Sequence, residues 1–91
     1  MTSMTELVPH EHVVFTEFDE GEGILVDLNT KKYFQLNETA VIVWRGLEKN
    51  QPLDEIVSEI VKTYDIADAH ATESVRKLLD NLRAFKLVRP R

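Results

Sequence analysis

The chain has 91 residues, 43% hydrophobic and 30% charged, with three His, no Cys and a formal net charge of −5. That size allows one small domain around one modest core, and the lack of Cys excludes disulfides, a thiolate nucleophile and cysteine-held zinc or iron–sulfur centres. The acidic balance argues against DNA, because nucleic-acid affinity comes largely from phosphate neutralisation by clustered basic residues.

The opening residues MTSMTELVPHEH have neither the basic nor the apolar region of a secretory signal. No apolar run approaches the roughly 18 residues of a membrane span, so the cytoplasm is the expected compartment. Residues 1–11 read as a loose tail. His12–Phe18 is β-branched and aromatic and predicts a first strand. Glu17, Asp19, Glu20 and Glu22 then cluster around Gly21 and Gly23. Their spacing lacks the closing Glu of a calcium loop, which leaves a solvated hairpin tip.

Ile24–Leu28 predicts a second strand, with Ile24, Val26 and Leu28 on one face and Leu25 and Asp27 on the other. Asn29, Thr30 and Lys31 form a tight turn, with Lys31 where Gly would be easier. Lys32–Leu36 returns as a third strand that places Phe34 and Leu36 opposite Tyr33 and Gln35. Asn37 is a favoured N-cap for a helix from Glu38 to about Glu48. Ala40, Val43, Trp44 and Leu47 form its stripe, and Val41 and Ile42 add a second apolar side, the mark of a helix buried between layers.

Pro52 opens a second helix, Leu53–Tyr64, with one clean apolar face. After Asp65, Ile66 and Ala67, a third helix runs from a cap at Asp68 to about Lys86. Ala71, Val75, Leu78, Leu82 and Phe85 form its core stripe. Leu79 falls at the seam beside Arg76, Arg83 and Lys86, with Asp80 near Arg76. Leu87 and Val88 close the domain as a short strand. The expected fold is α+β: a three-stranded antiparallel sheet followed by three helices, similar to a winged helix-turn-helix. The domain spans 12–88, and 89–91 is a tail.

Chemistry is scarce. His10 and His12 lack a third ligand at any metal-binding spacing. No Ser stands in a nucleophile motif, and three Gly cannot build a phosphate loop. The residues point to no enzyme, metal or cofactor. Two binding modes remain. One is a DNA-binding winged-helix regulator, with the third helix in the major groove. The other is capture of an extended peptide along the edge of the third strand. Lys31 and Lys32 would guard such an edge against aggregation.

The run GILVDLNTKKYFQLNETAVIVWRGLEKNQPLDEIVSEIVKTYDI, followed by VRKLLDNLRAFKLV, resembles the PqqD family of winged-helix-like precursor peptide recognition elements. The likeness covers about residues 12–88, and the segment from Leu25 or Leu28 through Trp44, of YFxLNxTAxxxW type, with the late Leu-x-x-Leu…Leu-Val ending carries most of it. It implies a non-catalytic module that binds the leader segment of a ribosomally synthesised and post-translationally modified peptide (a RiPP). Such a module delivers the leader to a modifying enzyme, such as a leader peptidase or a radical-SAM enzyme.

The leader is then expected as an added strand on Lys31, Lys32, Tyr33, Phe34, Gln35 and Leu36. The third helix would clamp it through Arg76, Leu79, Asp80 and Arg83. Members serving pyrroloquinoline quinone synthesis usually have Pro within the segment equivalent to 26–30 and Gly near 49–50. Their absence here favours a lasso-peptide or other RiPP pathway.

Overall fold

The computed structural model describes residues 7–18 and 21–90. Its elements run β1 (Leu7–Pro9), β2 (Val13–Glu17), β3 (Gly23–Asp27), β4 (Lys32–Leu36), α1 (Glu38–Glu48), α2 (Leu53–Tyr64), α3 (Asp68–Ala84) and β5 (Val88–Pro90). The α+β meander followed by three helices is the fold expected from the sequence. Residues 1–6, the hairpin-tip residues Asp19 and Glu20, and Arg91 lie outside the described residues.

β2, β3 and β4 form an antiparallel sheet in chain order, with Phe15 opposite Leu25 and Leu25 opposite Phe34. The face carrying Leu25, Asp27 and Leu36 packs against the helices. The opposite face carries Ile24, Val26 and Tyr33. Trp44, Val43 and Leu47 of α1, Ile56 and Ile60 of α2, and Ala71, Val75, Leu79 and Leu82 of α3 complete one core. Each fully buried large side chain contributes about 1.5–3 kcal/mol.

The tail reading fails at both ends. Leu7–Pro9 pairs antiparallel with Val88–Pro90, and the His10 N–H donates to the Leu87 carbonyl at 3.0 Å. Three residues with a terminal Pro are too short for a strand signal, so only the partner strand makes this one. The closing strand accordingly begins at Val88 and includes Arg89 and Pro90.

Helix ends explain two further differences. The third helix is capped by Ala67 without a side-chain bond, and Asp68 is its first residue, accepting from the Thr72 hydroxyl. The helix stops at Ala84 rather than Lys86. Lys86 adopts φ 60°, its N–H donates to the Arg83 carbonyl, and the Leu87 N–H donates to the Leu82 carbonyl. This is a Schellman turn with Lys in the usual place of Gly, its Leu82 and Leu87 both buried. α1 ends the same way at Asn50, φ 59°. Without Gly, the stop of α3 carries no local signal, whereas α1 ends at Glu48 as expected. Asn37 behaves as expected: its Oδ1 accepts from the Ala40 N–H at 2.9 Å.

Two residues hold the layers in register. An added Cβ on Gly46 of α1 would sit 2.6 Å from Ile56 Cγ1, so α1 and α2 touch where no side chain fits. Asp27, only 3% exposed, ends β3, and its Oδ1 accepts from the N–H groups of Asn29 (2.9 Å) and Thr30 (3.2 Å). This Asx turn leads into Lys31, whose φ of 65° meets the expectation that Gly would be easier there. His12 Nε2 lies 3.6 Å from the same oxygen.

Burial pushes the Asp27 pKa up, but the two backbone hydrogen bonds and His12 outweigh it and hold the carboxyl below its ordinary 3.8.

Gly46→Ala should destabilise the domain by about 1–2 kcal/mol, because overpacking outweighs the helix propensity of Ala. A lowered urea midpoint, with a Gly46→Ala penalty that shrinks or vanishes when measured in an Ile56→Ala background, would establish this. For Asp27, the depressed folded pKa stabilises the fold above about pH 3.8, and that contribution is lost as pH falls through the folded value. Thermal melts from pH 6 down to pH 2 (roughly the titration range of a depressed carboxyl) should fall more steeply for the wild type than for Asp27→Asn. Parallel curves would remove Asp27 from the account.

Candidate peptide-binding site

Antiparallel pairing alternates bonded and non-bonded residue pairs, and two flanking bonds fix the phase. The Phe18 N–H donates to Glu22 and the Leu28 N–H to His12, so Ile24 and Val26 turn their backbone groups toward β2. Leu25 and Asp27 therefore bond β4, through Phe34 and Lys32, and Gly23 through Leu36. The N–H and C=O groups of Tyr33 and Gln35 consequently point to the outer edge. Among the described residues no strand pairs there.

Beside this edge lies a cleft of about 530 Å³, walled by Gln35, Leu36 and Asn37 on one side and by Ser74 and Leu78 on the other, with Thr39 and Ala40 of α1 at its base. Phe85 extends the α3 wall: its ring meets that of Phe34 at 5.0 Å between centroids, tilted by 45°. Such an aromatic pair contributes about 0.5–1.5 kcal/mol beyond its burial. The cleft thus has a backbone rail, an apolar wall and an open mouth.

The sequence-predicted residues divide between this arrangement and other places. Lys31, Lys32, Tyr33 and Gln35 are exposed along the edge, and Phe34 is half-buried against Phe85. Leu36 is core, although its backbone borders the cleft. The α3 side differs more. Leu79 is only 8% exposed and packs in the core, while Leu78 takes the cleft position.

At 100° per residue, Arg76, Asp80 and Arg83 stand about 140–160° around α3 from Leu78. They lie on the flank that follows Asp68 and Thr72 toward α2. The α3 side of this cleft is therefore lined by Ser74 and Leu78, and Arg76, Leu79, Asp80 and Arg83 stand outside its lining. The signal that could have found it is the Ser74–Leu78–Phe85 line itself. By spacing alone its last two members fall on the core stripe, because apolar residues cover more than one side of this helix.

A second hollow, about 340 Å³, lies between α1, α2 and the β2–β3 hairpin. Two contacts cross it: Arg45 pairs with Glu17, and the Tyr64 hydroxyl donates to Glu38 at 3.2 Å. Burial, then the Glu38 carboxylate, raises the Tyr64 pKa. These pairs pin the hairpin and α2 to α1. No helix among the described residues is long and apolar enough to cross a membrane.

A family model described as Coenzyme PQQ synthesis protein D (PqqD) matches residues 22–88, well over half of the chain. Among curated proteins none matches. Two solved structures share the fold. One is TbiB1 in complex with the TbiA(beta) leader peptide, at 27% identity and TM-score 0.82, covering 89% of this chain and 93% of that one. The other is lasso peptide synthetase B1 complexed with the leader peptide, at 20% identity and TM-score 0.84, covering 94% and 100%. With β3, β4, the three helices and the segment leading to Trp44 inside the matched region, the chain belongs to the PqqD family.

Proposed function

We propose that this domain recognises the leader segment of a ribosomally synthesised precursor peptide and presents it to a modifying enzyme, in a lasso-peptide or related RiPP pathway. The leader adds as a fourth strand on β4, bonding the backbone groups of Tyr33 and Gln35. Side chains on one of its faces enter the cleft bounded by Leu78, Ser74 and Phe85. The domain contributes binding and no chemistry, and the enzyme it serves is a leader peptidase or another RiPP-modifying enzyme.

The observation that carries this reading is the outward-facing backbone of β4 beside an apolar cleft. An exposed edge is an aggregation liability unless it is covered or used. Main-chain bonds to an added strand supply affinity without demanding a fixed sequence, and the neighbouring pockets supply the selection. Resemblance to TbiB1 in its complex with a leader peptide supports the same reading, and the lack of Pro in 26–30 and of Gly at 49–50 favours a lasso or other RiPP pathway over quinone synthesis. The winged-helix DNA reading has no comparable support, since Glu73 and Asp80 share the polar face of α3 with its basic residues.

A fluorescent peptide corresponding to the leader of the precursor encoded beside this chain should bind with micromolar affinity or better. Gln35→Pro removes an outward N–H while sparing the ladder to β3, so affinity should fall about tenfold or more with an unchanged melting temperature. Phe34→Pro removes an inward N–H and should instead unfold the sheet. Charge reversal of Arg76 and Arg83 should change affinity by less than about twofold, because screened charges on the far flank contribute little. Full binding by Gln35→Pro would contradict strand addition, and loss of binding on Arg76 reversal would restore the other flank of α3 to the site.

A further inference from the structure

A strand laid along a sheet edge turns alternate side chains to opposite faces. The cleft against α3 accommodates one set. The other set must lie on the outer face of the sheet, which the helices do not cover. There the register aligns Val14, Val26 and Tyr33 in one row across the three strands. Val14, Phe18, Leu28 and Tyr33 all have large exposed areas on this face, Tyr33 the most at 66%. A contiguous apolar face of this kind marks an interaction surface more often than scattered exposed residues do.

Next to β4 this face runs into a shallow hollow of about 580 Å³ that wraps round the edge, lined by Phe18, Ile24, Tyr33 and Gln35 of the outer face, by Phe34 and Lys32 of the opposite face, and by Lys31 at the turn. Tyr33 and Gln35 are the residues whose backbone groups face the open edge, so hollow and edge are continuous. Among the described residues, the charged ones lining the hollow are the two lysines, in a chain whose net charge is −5. A carboxylate is the side chain this local field favours.

We infer that the hollow is a second side-chain subsite for the same peptide. It takes an apolar residue over Tyr33 and Ile24 and an acidic residue beside Lys31 and Lys32. The inference rests on strand addition at β4 and adds the chemistry of the peptide. The recognised segment is read on both faces, with apolar side chains entering the α3 cleft and an apolar–acidic combination covering the outer face. In an extended strand these two sets alternate residue by residue. Tyr33 and the lysines are then specificity-determining residues, and the exposed aromatic on an otherwise polar-tolerant face has a role.

The test is selection of random 12-residue peptides from a display library (length roughly matched to a strand plus flanks). The targets are the wild type, Tyr33→Thr, the Lys31→Glu/Lys32→Glu pair and Gln35→Pro. The altered side chains are exposed, and unchanged melting temperatures verify the fold. Peptides that depend on the edge should be enriched on the wild type and lost on Gln35→Pro. They should alternate apolar positions on both faces and carry Asp or Glu at one end. The double reversal should weaken those acidic peptides about tenfold and replace their acid with Lys or Arg on reselection.

Suppose instead that edge-dependent peptides show a pattern on one face only and bind both outer-face variants as tightly as the wild type. The second subsite is then wrong while strand addition stands, and the hollow belongs to a partner protein or a second copy. Equal enrichment on Gln35→Pro would overturn strand addition and the inference with it.

Discussion

β4 is bonded on one side and free on the other, and the use of this domain follows from that asymmetry. Lys32, Phe34 and Leu36 turn inward to β3, and Leu36 anchors the strand in the core. At its end the Asn37 side chain takes the Ala40 N–H, so the chain leaves the sheet and enters α1 within one residue. The asymmetry is stable because the strand does not depend on an outer partner: its inner ladder, the Phe34–Phe85 contact and the cap hold it. A preformed edge spares a bound strand the cost of ordering its template, which is how pre-organisation turns backbone bonds into affinity.

The rest of the fold keeps that edge at a set distance from α3. Gly46 lets α2 approach α1 closely, and α2 carries α3 back across the sheet. Asp27 fixes the turn that starts β4 through two backbone bonds, a demand met by a short acceptor side chain held within the fold. The two-stranded β1–β5 pair closes the far end, next to α1. None of these residues touches the cleft, yet each sets where one of its walls stands.

Much of this was legible in the residues. Period-two alternation gave β4 and its faces, Asn37 gave the joint, and Pro52 with a single apolar stripe gave α2 to the residue. What escaped has physical causes. A strand as short as Leu7–Pro9 exists only through its partner, so no local pattern announces it. A helix that stops on Lys86 in the left-handed region carries no Gly to mark the stop. On α3, Leu78 and Leu79 are adjacent and both apolar, 100° apart on the helix. Period alone cannot say which enters the core, and choosing Leu78 for it rotated the expected wall toward Arg76 and Arg83. Tertiary packing settled the choice through Leu82 and the Schellman turn at Leu87, which fix the helix orientation.

The most direct test of an edge open on one side is amide hydrogen exchange at β4, followed residue by residue by NMR with and without the leader peptide. In the free domain the Phe34 and Leu36 amides should exchange slowly and those of Tyr33 and Gln35 fast; on binding, Tyr33 and Gln35 should become protected while Phe34 and Leu36 change little. Protection of Tyr33 and Gln35 in the free protein, or continued fast exchange in the complex, would contradict the account.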